Sequence, residues 1–192
     1  MYISAELLYF IKTLVFDSQE EVCGNFLTKE EITRNKIEIN YEEQEDLNIY
    51  VSRVGTEDSC EHKFYSKYIW HTHPSIGKAY PSPTDFMKVL KNNVISFVFT
   101  SWGIWELYSD KPNTINADTR RKLETKYLKP IGDKIYKHTE RGRSITLTVN
   151  QSYAITHLSN ELIKIFNSLG YGIHVNFTEW KNIYNYEIIN KI

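Results

Sequence analysis

Apolar residues recur along this chain with two different periods, and the two kinds of segment alternate. Seven apolar residues between Ile3 and Val15 fall on one face at helical spacing, which predicts an amphipathic helix. Shorter apolar runs, typical of buried strands, begin at Val22 and at Phe64. Helices that alternate with strands predict an α/β protein in which a mixed central sheet is flanked by helices.

Further segments continue this alternation. Strands are predicted at Val22–Leu27, Lys36–Tyr41, Leu47–Val54, Phe64–Trp70, Val94–Thr100, Ile104–Tyr108, Ser144–Val149 and Gly172–Phe177. Helices are predicted from near Pro83 to Asn92, over Ala117–His138 and over Ser152–Leu169. The acidic residues 42–46 indicate the solvated tip of a hairpin.

The composition is that of one compact domain. With 192 residues, 41% of them hydrophobic, and only 5 Pro and 8 Gly, the chain can bury a sizeable core and is not of low complexity. We therefore expect a single domain over residues 1–192. No apolar run approaches the roughly 20 residues that a membrane span needs, and no charged region precedes the first helix as in a signal peptide. These features predict a cytoplasmic protein without membrane contact, and they leave its oligomeric state open.

Two cysteines, Cys23 and Cys60, are too few for a disulfide framework. In an intracellular protein, the expected state is two reduced thiols. The triplet at residues 60–62, Cys-Glu-His, could hold a second metal or a thiol nucleophile, but the simpler interpretation is a surface loop between strands.

Charge is distributed unevenly, although the formal net charge is only −1. Residues 1–62 carry 14 Asp and Glu against 5 Lys and Arg, whereas residues 111–143 carry 10 Lys and Arg against 4 Asp and Glu. A basic helix can contact nucleic acid, but neither a groove-reading motif nor interleaved aromatic residues accompany it. We interpret the basic segment as a solvated face and expect no nucleic-acid partner.

A pair of histidines marks the end of one predicted strand. His71 and His73 are separated by one residue, and side chains at positions i and i+2 of a strand point to the same face. Two imidazoles placed in this way can bind one divalent ion. Asp85 lies twelve residues further on, at the start of a predicted helix, and the loop is long enough to return its carboxylate to the histidines. Two His and one Asp leave a fourth tetrahedral position open, as in catalytic zinc sites.

Each part of this pattern also has a structural interpretation. Residues 82–85 fit a capping box in which Ser82 is the N-cap and Asp85 the third helical residue. Glu21, at the start of the first predicted strand, could act as a general base, but it could equally be one of the exposed acids of residues 19–21. Taken singly, these residues leave both alternatives open.

Together, three short motifs resemble the JAMM (MPN-plus) metalloprotease family. They are Glu-x-Cys-Gly at residues 21–24, His-Thr-His-Pro at 71–74 and Pro-Ser-x-Thr-Asp at 81–85, in the family's order. The resemblance covers roughly residues 1–110 and leaves 111–192 as a C-terminal elaboration. It implies the three-layer αβα architecture that this family shares with cytidine deaminases.

One spacing departs from the family pattern. Eleven residues separate His73 from Asp85, one more than the family usually has, and the extra residue falls in the loop before Pro81. The spacing from Ser82 to Asp85 is unchanged. The departure therefore affects the loop more than the ligand set, of which no member is missing.

The resemblance implies a site and a reaction. One zinc ion per chain would be held by His71, His73 and Asp85, and Glu21 would act as general base for the attacking water. Ser82 would donate a hydrogen bond to the developing oxyanion. Family members mostly cut after the C-terminal glycine of ubiquitin or a ubiquitin-like modifier, so the implied partners are conjugates of such proteins. The Pro-Ser-Pro-Thr-Asp segment at residues 81–85 is closest to small prokaryotic and viral-type members.

Other hydrolase classes lack their motifs here. The sequence contains no His-Glu-x-x-His, no Pro-Cys-x-x-Cys and no Gly-x-Ser-x-Gly, which excludes thermolysin-like enzymes, zinc deaminases and serine hydrolases with a nucleophile elbow. A non-catalytic MPN scaffold that binds partners without cleaving them is the remaining alternative, and the intact ligand set argues against it.

Overall fold

Six strands form one mixed sheet. The computed structural model describes residues 2–3, 5–35, 48–54, 60, 62, 66–74, 79–111, 116–138, 149–183 and 186–187. The strands of the sheet are β2 (Val22–Leu27), β3 (Asn48–Val54), β4 (Tyr68–Thr72), β5 (Ile95–Phe99), β6 (Gly103–Ser109) and β7 (Ile173–Glu179). They lie in the order β3-β2-β4-β5-β6-β7, and among these described strands only β4 and β5 pair in parallel. A short pair, β1 (Tyr2–Ile3) with β8 (Tyr186–Glu187), lies apart from this sheet.

Helices cover both faces of the sheet. Their bounds are α1 (Ala5–Asp17), α2 (Lys29–Asn35), α3 (Pro83–Asn92), α4 (Ala117–Leu123), α5 (Lys129–His138) and α6 (Val149–Ser168). On one face, α1 packs against aromatic residues of β4 and β5, among them Trp70 and Phe97. On the other face, α3 and α6 share a second core with Ile69 and Val98. The predicted class, a mixed sheet flanked by helices, is therefore confirmed.

The parallel pair determines where the site lies. Parallel strands need a crossover connection, and here α3 connects the end of β4 to the start of β5. The N-terminus of α3 consequently lies on the same side of the molecule as the carboxyl end of β4. Ligand sites in α/β sheets commonly form at such strand ends.

The segment that follows β6 belongs to the same packing unit. Leu128 and Ile131 join Phe166 of α6 in the core that contains α3, and β7 pairs with β6 along seven residues. The helix predicted over Ala117–His138 is present but is interrupted by a π-helical turn at Glu124–Leu128. Pro130 follows this turn, and because proline disfavours regular α-helix over the preceding turn, the wider π-helical turn accommodates it.

Strongly patterned elements were predicted correctly. The strand at Val22–Leu27, the helix from Pro83 to Asn92, the hairpin of β5 and β6, the helix α6 and the strand β7 are all present. Five details differ from prediction. Ile3 belongs to β1, Val149 begins a helix instead of ending a strand, and α2 was not predicted. The strand predicted at Phe64–Trp70 begins only at Tyr68 and extends through Thr72. The predicted strand at Lys36–Tyr41, the hairpin tip at 42–46 and residues 144–148 lie outside the described residues.

The two cysteines form a disulfide, so the prediction of two reduced thiols is wrong. Cys23 and Cys60 are separated by 37 residues in sequence, but their Cα atoms lie 5.9 Å apart. Cys60 is buried, which contradicts the prediction that this position lies on the surface. The physical reason is that Cys60 precedes β4, the strand that pairs with β2, so the strand pairing brings two distant residues together. Periodicity along the sequence carries no signal for such a contact.

No helix in the described part of the chain is both long enough and apolar enough to cross a bilayer.

Candidate metal centre

The histidine pair lies at the carboxyl end of β4 and faces α3. Ile69 belongs to the core beneath α3, and strand alternation places His71 and His73 on the same face as Ile69. His73 follows the last residue of β4, where its N–H donates to the Phe99 carbonyl at 2.8 Å and prolongs the pairing with β5. Both side chains are buried, and their Nε2 atoms lie 3.2 Å apart.

Asp85 reaches the histidines from the first turn of α3. Pro83 begins the helix and Ser82 is its N-cap, with an extended backbone. The Asp85 Oδ2 atom accepts hydrogen bonds from the backbone N–H and the hydroxyl of Ser82, both at 2.7 Å. The Ser82 Oγ atom in turn accepts from the Asp85 N–H at 3.4 Å. The capping box is therefore present, and it fixes the carboxylate that the metal interpretation needs, so the two interpretations do not exclude each other.

The candidate ligand atoms of these three residues lie close together. The Nε2 atom of His71 lies 3.1 Å from Oδ1 of Asp85, and Nε2 of His73 lies 3.5 Å from Oδ2. Zinc–nitrogen bonds of about 2.0–2.1 Å at tetrahedral angles imply about 3.3–3.4 Å between ligand atoms. The separations of 3.1 and 3.2 Å from Nε2 of His71 lie close to that value, and one ligand atom from each of the three residues lies within 4.8 Å of the other two. A buried trio of His71, His73 and Asp85 can hold a metal ion.

The electrostatics of the trio favour the protonation states of metal ligands. Burial lowers the pKa of His71 and outweighs the attraction of Asp85, so the imidazole tends to be neutral with an open lone pair. Burial alone would raise the pKa of Asp85, but its interactions with His71 and then His73 hold that pKa well below the ordinary value. A neutral imidazole and an ionised carboxylate are the forms that bind a cation.

Glu21 also lies at this centre. The residue immediately precedes β2, its side chain is buried, and its Oε1 atom is 3.7 Å from Nε2 of His73. The interpretation of Glu21 as an exposed acid is therefore wrong. The carboxylate stands beside the histidine pair, within reach of a small molecule that occupies the open position.

Thr72, between the two histidines, connects their strand to Glu21. Its side chain is buried on the face opposite to the histidines, and its Oγ1 atom accepts from the Val22 N–H at 2.9 Å. The same hydroxyl lies 3.4 Å from the Val22 carbonyl oxygen, to which it donates. Because Val22 follows Glu21 directly, these bonds set the position of Glu21 relative to the histidine pair. Strand alternation in the His-Thr-His motif indicates that the Thr72 side chain points to the face opposite the histidines. The sequence gives no signal that Val22 is its hydrogen-bond partner.

His62 is a second residue that sequence reasoning missed. Its imidazole Nε2 lies 3.2 Å from the carbonyl oxygen of Trp70, the residue before His71. Burial, followed by the charges of Lys88 and His71, lowers the pKa of His62 to about 4. The side chain is therefore neutral at physiological pH and lies near the candidate metal centre.

All five predicted site residues come together in the fold. Glu21 starts β2, His71 and His73 end β4, and Ser82 and Asp85 begin α3. In this arrangement the Ser82 hydroxyl is directed at Asp85, and its contact with a reacting oxygen stays a prediction. No family model, curated protein or solved structure matches this chain.

Proposed function

We propose that the chain is a zinc-dependent peptidase of the JAMM (MPN-plus) type, built on the family's three-layer architecture. The reaction is hydrolysis of the peptide or isopeptide bond after the C-terminal glycine of ubiquitin or a ubiquitin-like protein. The observation that carries the proposal is the convergence of His71, His73 and Asp85, whose ligand atoms lie within 4.8 Å of one another, beside the buried carboxylate of Glu21. The order of the three motifs and the sheet with helices on both faces support it.

The donor set suits zinc. Two imidazoles and one carboxylate leave one of four tetrahedral positions for water or substrate, which is the composition of catalytic rather than structural zinc sites. Zinc held by these residues would polarise a substrate carbonyl and make water acidic enough to attack it near neutral pH.

Residues of the chain itself position the candidate ligands and transfer the proton. Ser82 holds Oδ2 of Asp85 through two hydrogen bonds, which leaves Oδ1 directed towards Nε2 of His71. Glu21 takes the proton of the attacking water on a carboxylate oxygen and returns it to the leaving amine. Burial of all four ionisable side chains excludes bulk water and strengthens each electrostatic interaction.

The test is cleavage of a panel of ubiquitin-like fusion proteins by the purified chain. Because a general base contributes about 10²–10⁴ in rate, Glu21→Gln lowers kcat by that factor while the protein keeps its metal. Glu20→Gln, at the exposed neighbouring acid, is the matched control and retains full activity. Cleavage that survives both Glu21→Gln and metal chelation rejects the proposal.

Metal content separates this enzyme from the scaffold alternative. Protein purified without chelators is expected to hold one zinc per chain. A content well below one, together with no cleavage of any fusion, favours a non-catalytic MPN scaffold.

A further inference from the structure

The segment that precedes β4 is fixed against the metal centre by a covalent bond. Cys60 is joined to Cys23, and Cys23 is the register partner of His71 across the antiparallel pair of β2 and β4. The disulfide therefore attaches this segment next to a candidate metal ligand. His62 follows Cys60 by two residues, so its distance from the site is limited by the same bond.

The hydrogen bond of His62 defines its tautomer. A carbonyl oxygen can only accept, so the Nε2 atom, 3.2 Å from the Trp70 oxygen, carries the proton. Burial, Lys88 and His71 keep the pKa of His62 near 4. The imidazole is consequently a neutral donor over the whole range in which a zinc hydrolase works, which suits a fixed support better than a proton carrier.

The ring of His71 needs such support. Metal-binding histidines usually donate their second ring nitrogen to a carboxylate or carbonyl oxygen, which orients the ring. The Nδ1 atom of His71 is buried and has no hydrogen-bond partner among the described residues. Apart from the contacts of its Nε2 atom, the ring is oriented by the backbone of β4, and the Trp70 carbonyl belongs to the peptide group that joins Trp70 to His71.

We propose that His62 is a positioning residue of the metal centre. By donating to the Trp70 carbonyl, it holds the end of β4 in the position where His71 and His73 present their Nε2 atoms to one point. This inference rests on the proposed zinc site, and it assigns a role to a residue outside the three motifs.

Binding of Co²⁺, a spectroscopic substitute for zinc, tests the inference without any substrate. The experiment compares the oxidised wild-type chain with His62→Leu, which removes the donor, and His62→Gln, which restores an N–H at similar reach. His157→Leu removes an exposed imidazole from α6 and is the matched control. Titration gives the affinity, and the visible absorption of bound Co²⁺ reports the ligand geometry.

We expect His62→Leu to weaken Co²⁺ binding by about 10- to 100-fold, the usual effect of losing an outer-shell partner, and to alter the visible spectrum. His62→Gln should recover both the affinity and the spectrum to within about threefold of the wild type, and His157→Leu should change neither.

Three outcomes overturn the inference. Wild-type affinity and spectrum in His62→Leu show that the donor is dispensable. If His62→Leu does not fold, a folded His62→Gln that still binds weakly shows that the hydrogen bond is not what matters. A wild-type chain that binds no Co²⁺ overturns the proposed zinc site itself and this inference with it, whereas the first two outcomes leave the zinc site standing.

Discussion

Thr72 shows how one side chain can relate two functional groups that are distant in sequence. Its hydroxyl bonds both backbone groups of Val22, next to Glu21, while its neighbours on the strand are His71 and His73. The proposed general base and the candidate metal ligands are thus connected through a single buried hydroxyl. A catalytic carboxylate displaced by about 1 Å can cost roughly a hundredfold in rate, so the proposed activity should depend on this connection.

Replacing Thr72 by valine tests this connection. The change keeps the shape of the side chain but leaves the Val22 N–H without its acceptor, which is expected to lower the free energy of unfolding by about 1–3 kcal/mol. We also expect kcat to fall by about 10- to 100-fold at unchanged zinc content. Urea denaturation, metal analysis and steady-state kinetics measure these effects. Thr72→Ser retains the hydroxyl and is the control, and equal stability of the two variants would contradict the prediction.

The pH dependence of stability tests the environment of His62. The pKa is about 4 in the folded chain against 6.5 when exposed, so between these values the unfolded chain binds a proton that the folded chain does not. The free energy of unfolding should therefore rise from pH 4 to pH 6.5, and the contribution is lost again on acidification. About 2–3 kcal/mol is expected for a shift of this size in a half-buried group.

The measurement is urea denaturation at several pH values in the presence of a chelator. His62→Gln has no titrating group at this position, so its stability should depend less steeply on pH over the same interval. Identical slopes for the two proteins would mean that His62 is solvated in the folded chain.

At the scale of elements, the β4–α3–β5 crossover assembles the centre. The strand supplies two imidazoles on one face, and the capping box at the start of α3 supplies a fixed carboxylate. The extra residue in the loop before Pro81 does not prevent this approach, since the distances from Asp85 to the histidines are 3.1 and 3.5 Å. The capping box is thus both a helix start and part of the candidate site.

The disulfide joins a second pair of elements, and its removal is expected to be costly. Cross-linking residues 37 apart should stabilise the folded chain by about 4 kcal/mol, mainly by restricting the unfolded chain. Urea denaturation of the oxidised chain and of a double variant, Cys23→Ala with Cys60→Ala, measures this difference. Thiol titration of the unfolded, unreduced wild type is the control. Two free thiols there, or equal stability of both proteins, would refute the bond.

At the scale of the whole molecule, the sheet separates two cores, and the candidate metal centre lies at the edge of only one of them. The aromatic core under α1 includes Trp70 and Phe99, whereas the core under α3 and α6 lies on the face of the histidines. The site residues are positioned by three elements, the interior strands β2 and β4 and the helix α3. Binding of a metal ion should therefore stabilise the entire fold and not a local segment.

Thermal unfolding measures this linkage. Zinc at about 100 times its Kd should add about 2.7 kcal/mol to the free energy of unfolding. For a chain of 192 residues this raises the Tm by about 5–10 °C. Asp85→Asn should reduce the shift strongly, while Asp110→Asn, at an exposed acid paired with His174, should preserve it. A Tm that does not respond to zinc in the wild type would contradict the metal site.

Local pattern was sufficient for the fold class and for the chemistry of the candidate ligands. The helical spacing of Leu8, Ile11 and Val15 and the short apolar strands reflect burial of one face, which each segment encodes by itself. The chemical types of the site residues, two imidazoles and two carboxylates, can likewise be identified from the sequence motifs. Where the pattern was weak, as for α2 and the start of α6, prediction failed because tertiary packing outweighs local propensity.

Only the tertiary structure decided which of these residues meet. The Cys23–Cys60 bond, the link from Thr72 to Val22 and the contact of His62 with Trp70 join residues between 8 and 50 positions apart. Such contacts depend on which strands pair and in what register, and that choice is made by the packing of the whole chain around two cores. The sequence alone therefore determined which imidazole and carboxylate groups are available to bind a metal ion, and the fold determined where those groups converge.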